Sequence, residues 1–247
     1  MSQGQQYESN ELFHFVGRHE PTLKARFELL LTILNSGILQ SSKFDETLTY
    51  GQSDSRLFSG ELTEVPAVCF CDIPREFIGL HMKKYSQFGL SFSRRFLSDN
   101  GAKPVIYVPL KSTTSAGKGS RGKDLPHQLR TLLNALSELQ QIKSDGEFNT
   151  AIGDSEVRQL VSTVVNRRTF LTGELYFFIK TFDEDLESHH AKNYYMEREW
   201  RIAGNPLRAR LKFSLSDVKH VIVPKEFERL LLAEMPELRS KLIGVSK

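Results

Sequence analysis

Alternating and helical repeats of hydrophobic residues divide this chain into strands and helices. A compact hydrophobic run at residues 12–16 predicts a strand. The next hydrophobic residues recur every three or four positions and predict an amphipathic helix carrying Leu23, Phe27, Leu30 and Leu34. Gly37 follows at the position where a helix C-terminus often takes a left-handed residue. The chain therefore opens with a strand and a helix.

The remaining pattern is also mixed. Hydrophobic runs predict strands at residues 67–71, 88–92, 105–108, 175–182, 199–203 and 220–223, and helices at 75–85 and around Phe227. Residues 111–123 contain only Gly, Ser, Thr, Ala and basic residues, and two amphipathic helices follow them. We therefore predict an α+β fold in a single domain over residues 1–247, with a basic loop and a helical insertion at about 111–170.

Composition narrows the class of protein only a little. The chain has 247 residues, 39% hydrophobic and 26% charged, with a net charge of +3, which is typical of a globular protein. No hydrophobic run approaches the roughly 18 residues that a membrane span needs, and the N-terminus lacks a signal-peptide pattern. These features favour a cytoplasmic protein with no membrane partner.

Several well-known catalytic and metal-binding motifs are absent. The run Gly117-Lys118-Gly119-Ser120 lacks the glycine and the hydroxyl residue that a phosphate-binding loop needs around its lysine. The two cysteines, Cys69 and Cys71, have no second thiol pair, so no zinc or other metal site is predicted. No Gly-x-Ser-x-Gly sequence occurs, which argues against a serine hydrolase of that type.

The strongest chemical signal is a pair of carboxylates, Glu197 and Glu199, followed by Arg201. On a strand these alternate residues would share one face. Two neighbouring carboxylates raise each other's pKa, so one can grip a hydroxyl group while the other acts electrostatically. An exposed edge strand with a ladder of Glu and Arg side chains explains the same residues.

A second signal lies at the other end of the chain. His14 on the first strand, followed by a helix and Gly37-Ile38, resembles the opening of ADP-ribosyltransferase-like domains. This resemblance implies a split β-sheet core in which His14 binds the nicotinamide-side ribose of NAD. It also implies that Glu199, with Glu197 second, stabilises the cationic ribose as nicotinamide leaves. A core or edge histidine with its hydrogen bonds satisfied is the alternative for His14.

The same resemblance implies further contacts with NAD as substrate. An aromatic ring would stack on nicotinamide, and the candidates are Phe70, Tyr85 and Phe92. Ser91 corresponds to the first serine of the Ser-x-Ser strand in one group of transferases. Arg18 and Arg75 would pair with the pyrophosphate, because guanidinium binds phosphate oxygens in a bidentate manner. Surface salt bridges explain either arginine equally well.

More specifically, the chain resembles the AbiGi family of abortive-phage-resistance proteins. The residues that carry this resemblance are His14 with Gly37-Ile38, residues 68–74, His81 with Tyr85, Phe88 and Gly89, and residues 197–201. The transferase resemblance implies a NAD-dependent mono-ADP-ribosyltransferase, a toxin-like effector of anti-phage defence with a possible antitoxin partner. The antitoxin label of the family implies instead a catalytically silent protein of the same fold that binds and restrains a partner toxin. We take the enzyme as the main expectation and the antitoxin as its alternative.

The basic loop bears on the acceptor of such an enzyme. Lys118, Arg121 and Lys123 would attract the phosphate backbone of RNA or DNA without reading its bases. A solvated linker to the helical insertion explains the loop without any partner. A protein acceptor therefore stays open beside a nucleic acid.

Overall fold

The computed structural model describes residues 9–41, 66–109, 131–139 except 133 and 137, 155–167, 175–190 except 184, 188 and 189, 195–204 and 208–245. The described residues form two compact units. The first contains residues 9–41, 66–105 and 190–245, and the second contains those between 106 and 187. Lys118, Arg121 and Lys123 lie outside the described residues, so their predicted nucleic-acid contact stays a prediction. The single-domain assignment of residues 1–247 also stays a prediction.

Strands and helices are interspersed along the chain. In order they are β1 (Glu11–Val16), α1 (Leu23–Ser36), β2 (Ile38–Gln40), β3 (Ala67–Cys71), α2 (Ile78–Lys84), β4 (Phe88–Ser93), α3 (Arg94–Asp99), β5 (Lys103–Pro104), β6 (Ile106–Pro109), α4 (Ser155–Asn166), β7 (Ile179–Phe182), β8 (Glu199–Ala203), β9 (Arg210–Lys212), β10 (Val218–Pro224), α5 (Lys225–Glu234) and β11 (Leu242–Val245). Short 3-10 turns occupy Arg75–Phe77, Tyr176–Phe178, Tyr195–Glu197 and Pro236–Lys241. The predicted α+β class is confirmed.

One mixed sheet organises the first unit. Among the described residues its seven strands run in the order β11-β10-β4-β1-β3-β8-β5. All neighbours are antiparallel except β10 and β11, which are parallel. A separate antiparallel pair joins β2 to β9. In the second unit, β6 and β7 form a parallel pair.

Helix α1 forms where the hydrophobic repeat predicted it, and its ends explain its length. The Thr22 hydroxyl accepts a hydrogen bond from the backbone N–H of Ala25, which caps the N-terminus. Gly37 ends the helix with φ of 62°, and its N–H donates to the carbonyl of Ile33. A Cβ at Gly37 would lie 2.4 Å from the carbonyl oxygen of Phe213. Both the backbone angle and the close approach therefore require glycine.

The sheet is hydrophobic on both faces, because helices cover each of them. On one face, the main core joins strand residues to the buried side of α1 and α5, including Leu12, Phe88, Leu90, Leu30 and Leu231. On the opposite face, a smaller core joins Phe13, Cys71 and Ile222 to Ile78 of α2. Alternation of side chains along each strand produces this division.

Local geometry differs from the sequence prediction in several places, among them the unpredicted β2, β5 and α3. The predicted helix at 75–85 begins as the 3-10 turn Arg75–Phe77 before α2. The predicted strand at 175–182 contains another 3-10 turn and then the short strand β7. Strands β9 and β11 were not predicted, since three- and four-residue strands leave too few positions to establish a period of two.

Candidate functional site

The register of the sheet separates the two ends of the predicted NAD site. Phe13 pairs with Cys71, and Cys71 pairs with Glu199, so these three side chains lie on one face. His14 follows Phe13 directly in β1, and its side chain lies on the opposite face, where its ring is 5.7 Å from that of Phe70. The structure therefore does not bring His14 and Glu199 together on one surface.

On its own face of the sheet, the His14 imidazole has a hydrogen-bond partner within the protein. Its Nδ1–H donates to the carbonyl oxygen of Cys69 at 2.8 Å. It also lines a cleft of about 580 Å³ beside Arg18, Thr32 and Gln40, between the end of β1, α1 and β2. Burial lowers the pKa of His14 below its ordinary value of 6.5, although the hydrogen bond to Cys69 opposes this shift. The folded state consequently favours the neutral imidazole.

The depressed pKa of His14 makes stability depend on pH in a definite direction. The unfolded chain protonates His14 near pH 6.5, whereas the folded chain resists protonation, so the stabilising contribution is present above that pH and lost below it. Burial lowers the pKa of His81 as well, so both residues make the free energy of unfolding decrease as the pH falls. We expect His14→Gln to reduce the slope of unfolding free energy against pH between 6.5 and 5 by up to about 1.4 kcal/mol per pH unit. Urea unfolding at several pH values measures this slope.

The exposed His19 provides the control for this measurement. His19→Gln removes an imidazole from an exposed position instead of the position beside Cys69, and its slope should match that of the wild type. A slope that is the same in His14→Gln as in the wild type would contradict the assignment of a buried neutral His14.

Glu197 does not lie on the strand that the sequence predicted for it. It ends the 3-10 turn Tyr195–Glu197, and Arg198, with φ of 44°, separates this turn from β8. The prediction that Glu197 shares a strand face with Glu199 and Arg201 is therefore wrong, because β8 begins only at Glu199. Glu197 is 3% exposed and accepts hydrogen bonds from Tyr85 Oη–H and from Lys84 Nζ, the latter at 2.5 Å.

Glu199 and Arg201 form a buried ion pair. Arg201 Nε donates to Glu199 Oε1 at 2.7 Å, and the side chains are 3% and 5% exposed respectively. The two residues are separated by one position on β8 and point to the same face, which allows this contact within a strand. The guanidinium neutralises the carboxylate that the sequence assigned to a developing cation. A carboxylate that is already paired with a guanidinium attracts a positively charged substrate less strongly.

The Tyr85 side chain contacts both the carboxylate of Glu197 and the guanidinium of Arg18. Burial raises the pKa of Tyr85 above its usual value, and the negative charge of Glu197 raises it further, so the phenol stays protonated and donates. The Tyr85 ring stacks on Phe15 with centroids 6.0 Å apart. The guanidinium of Arg18 lies 5.3 Å from the centroid of the Tyr85 ring, a cation–π contact.

The other predicted site residues occupy different environments. Phe70 is fully buried in the main core, with its ring 6.2 Å from that of Phe92. Arg75 is exposed at the 3-10 turn before α2. The structure thus brings Tyr85, Arg18, Glu197 and Glu199 into one neighbourhood. Phe70 lies beside His14 on the opposite face, but it is fully buried and offers no ring to a ligand.

Ser91 is part of a hydrogen-bonded network across three strands. Its hydroxyl donates to Glu11, and it accepts from the backbone N–H of His220 at 2.9 Å. His220 Nδ1 lies 2.6 Å from Glu11 Oε1. The residue types are those of a Ser-His-Glu triad, but the serine contacts the carboxylate and not the imidazole side chain. Ser91 is also fully buried, so its hydroxyl is not accessible to a substrate, and the contacts instead link β1, β4 and β10.

Sequence reasoning missed the role of Asp72. This residue is 3% exposed, and its Oδ2 accepts from Arg94 and Arg198, each at 3.0 Å. Its Oδ1 accepts from the backbone N–H of Ser9 at 3.3 Å. A carboxylate that directly follows a buried strand indicates a paired charge, because an unpaired one would be costly to bury. Among the described residues, no group of three or more His, Cys, Asp and Glu side chains is placed to hold a metal ion.

Comparison with known proteins assigns the family of this α+β chain. Residues 45–221, more than two thirds of the chain, match the family described as "Putative abortive phage resistance protein AbiGi, antitoxin". The chain belongs to this AbiGi family, as the resemblance in the sequence predicted. No curated protein and no solved structure matches it significantly. In the part of the chain that the structure describes, no helix is long and hydrophobic enough to cross a bilayer.

The family assignment corrects the main functional expectation. The predicted NAD-dependent mono-ADP-ribosyltransferase toxin is contradicted, because the family is described as an antitoxin of abortive phage resistance. That description agrees with the alternative, a protein that restrains a toxin. An antitoxin implies a cognate toxin as partner.

Proposed function

We propose that this protein is a catalytically silent antitoxin that binds and restrains the toxin of an abortive-infection system. The observation that carries the proposal is the assignment of residues 45–221 to the AbiGi antitoxin family. The protein would act by occupying a surface of the toxin, and it would need no reaction of its own. Its defence role would then depend on how tightly it holds that partner.

The environment of the paired carboxylates supports a silent site. Glu199 is balanced by Arg201, and Glu197 by Lys84, and both carboxylates are buried. His14 faces the other side of the sheet, where its Nδ1–H is bonded to the Cys69 carbonyl. Residues that a transferase would direct at one ribose are here used in contacts within the protein. The stability that these contacts give to the fold is a sufficient explanation for each of these residues.

We further propose that the framework of this antitoxin is an ADP-ribosyltransferase-like split sheet that no longer supports transfer. The main support is that β1 and β3 pair at a single position, Phe13 with Cys71, and His14 lies beside the point where the pairing ends. NAD binding is a separate proposal that rests on the resemblance of His14 and Gly37-Ile38. Calorimetric titration of NAD into the purified protein tests it directly.

The antitoxin proposal predicts rescue of cells from a toxin without any need for the Glu199 carboxylate. The toxin gene is sought among the neighbours of the gene for this chain, as one whose product arrests growth when expressed alone. Co-expression of the wild-type chain should restore growth. The double variant Glu199→Met/Arg201→Met removes the carboxylate together with its charge partner, and should restore growth equally at equal protein levels.

Two controls separate the parts of this proposal. Growth arrest by the chain alone, or failure to relieve arrest by any neighbouring product, would contradict the antitoxin assignment. Loss of rescue in the double variant, with its fold intact by circular dichroism, would instead contradict the claim that the carboxylates are catalytically silent. Colony counts after induction measure both outcomes.

A further inference from the structure

We propose that the outer side of α2 and the turn before β8 form the surface that docks the toxin. This α2 patch consists of four large side chains that are about half exposed or more: Phe77 62%, Leu80 61%, Tyr195 52% and Met196 48%. Its occupant is an acidic segment of the toxin that also carries hydrophobic side chains. The inference rests on the proposed antitoxin function and identifies where that function is performed.

The two parts of the patch are linked by contacts in the structure. Leu80 and Lys84 are one turn apart on α2 and therefore lie on the same side of the helix. Lys84 Nζ lies 2.5 Å from Glu197 Oε1, and Glu197 directly follows Tyr195 and Met196 in the same turn. Tyr85 Oη–H donates to the same carboxylate. These bonds hold α2 and the turn side by side.

The exposure of these residues contrasts with the inner side of α2. Ile78 is buried, and Met82 packs with it against the sheet, so the helix is already anchored. Leu80 and Phe77 leave most of their side chains exposed. Single exposed hydrophobic residues are ordinary, but a contiguous group of large ones marks an interaction site. Tyrosine, phenylalanine and methionine are also the residue types that are enriched at protein interfaces.

Positive charge surrounds the patch and determines the kind of partner. Arg75 and Lys83 are exposed on or beside α2, with Glu76 as an acidic neighbour. Asp72 Oδ2 accepts from both Arg94 and Arg198, and the side chain of Arg198 is 42% exposed. Of the exposed side chains named here, Arg75, Lys83 and Arg198 are cationic and Glu76 is acidic. Such a surface is complementary to an acidic protein segment.

The hydrophobic component favours a protein over a nucleic acid as the occupant. Phosphate backbones are bound by cations, and unstacked bases by aromatic rings. Neither interaction uses the aliphatic side chain of Leu80 or the flexible one of Met196. A buried hydrophobic centre ringed by charges is instead the common anatomy of a protein–protein interface.

A matched pair of double variants tests the α2 patch. Leu80→Ser/Lys83→Glu changes the patch, and Leu230→Ser/Arg229→Glu makes the same changes on α5. Leu230 is 54% exposed, and α5 packs on the other face of the sheet through Leu231. Calorimetry of each purified protein with the growth-arresting toxin should show the Kd rising at least about tenfold for the α2 variant and less than about twofold for the α5 variant. The thermal midpoints of both should match that of the wild type.

Each other outcome has a separate meaning. An α2 variant that binds the toxin as the α5 variant does would overturn the patch while leaving the antitoxin function in place. A wild-type chain that fails to bind the toxin would overturn the proposed function itself. A 20-nucleotide RNA that binds the wild type and loses affinity only in the α2 variant, while toxin binding is retained, would reassign the patch to nucleic acid.

Discussion

Replacing Arg201 with methionine is expected to lower the free energy of unfolding by about 3–5 kcal/mol. The substitution keeps an unbranched hydrophobic stem but removes the guanidinium. Glu199, with its side chain 5% exposed, would then keep a negative charge that loses its Arg201 donors at 2.7 and 3.4 Å. The cost arises because a buried carboxylate is poorly solvated and the lost guanidinium donors are not replaced by water. Urea unfolding at neutral pH measures the loss.

The second member of a double-mutant cycle isolates the contribution of the ion pair. Glu199→Met/Arg201→Met removes both charges, and its stability should return to within about 1 kcal/mol of the wild type, since hydrophobic replacement of a whole buried pair is often neutral or stabilising. The coupling between the two sites is thus expected to be large. An Arg201→Met protein that unfolds at the wild-type urea concentration would contradict the pairing.

Replacing Phe88 with alanine is expected to lower the free energy of unfolding by about 3–5 kcal/mol as well. Phe88 is fully buried in β4, near the centre of the sheet. Its ring lies 5.3 Å from that of Phe227 and 6.3 Å from that of Phe27, so it joins α5 and α1 to the sheet. Truncation leaves a cavity between both helices and the strand. Thermal and urea unfolding measure the effect.

Phe77 provides the control for Phe88. It is the same residue type at 62% exposure, and Phe77→Ala should change stability by less than about 0.5 kcal/mol. The same substitution should weaken toxin binding, because Phe77 belongs to the α2 patch. Comparable losses of stability in the two variants would show that the assigned core and surface are incorrect.

Local patterns in the sequence were sufficient for the elements whose signal is local. Helix α1 was predicted because its hydrophobic residues repeat every three or four positions and Gly37 follows them. Strands β1, β3, β4 and β8 were predicted from short hydrophobic runs bounded by polar or turn residues. The left-handed Arg198 was not predicted, because nothing in a run of Glu and Arg residues signals that backbone angle. That one residue moved Glu197 off the strand.

The candidate site depended on contacts that no local pattern encodes. The sequence singled out the carboxylates of Glu197 and Glu199, and the structure shows that both are buried. The main partners of Glu197 are Lys84 and Tyr85, more than one hundred residues earlier in the chain. Whether a carboxylate is offered to a ligand or neutralised by the protein is decided by such distant pairs. Spacing alone does not contain that information.

By itself, the sequence determined the α+β class, the principal helices and strands, and the resemblance to the AbiGi antitoxin family. These follow from hydrophobic periodicity, helix-ending residues and short motifs, which act over a few neighbouring positions. Only the tertiary structure decided that His14 and Glu199 lie on opposite faces, and that Arg201 balances Glu199. The physical reason is that a shift of one residue in strand register moves every side chain of that strand to the opposite face of the sheet. The register is set by packing across the whole sheet.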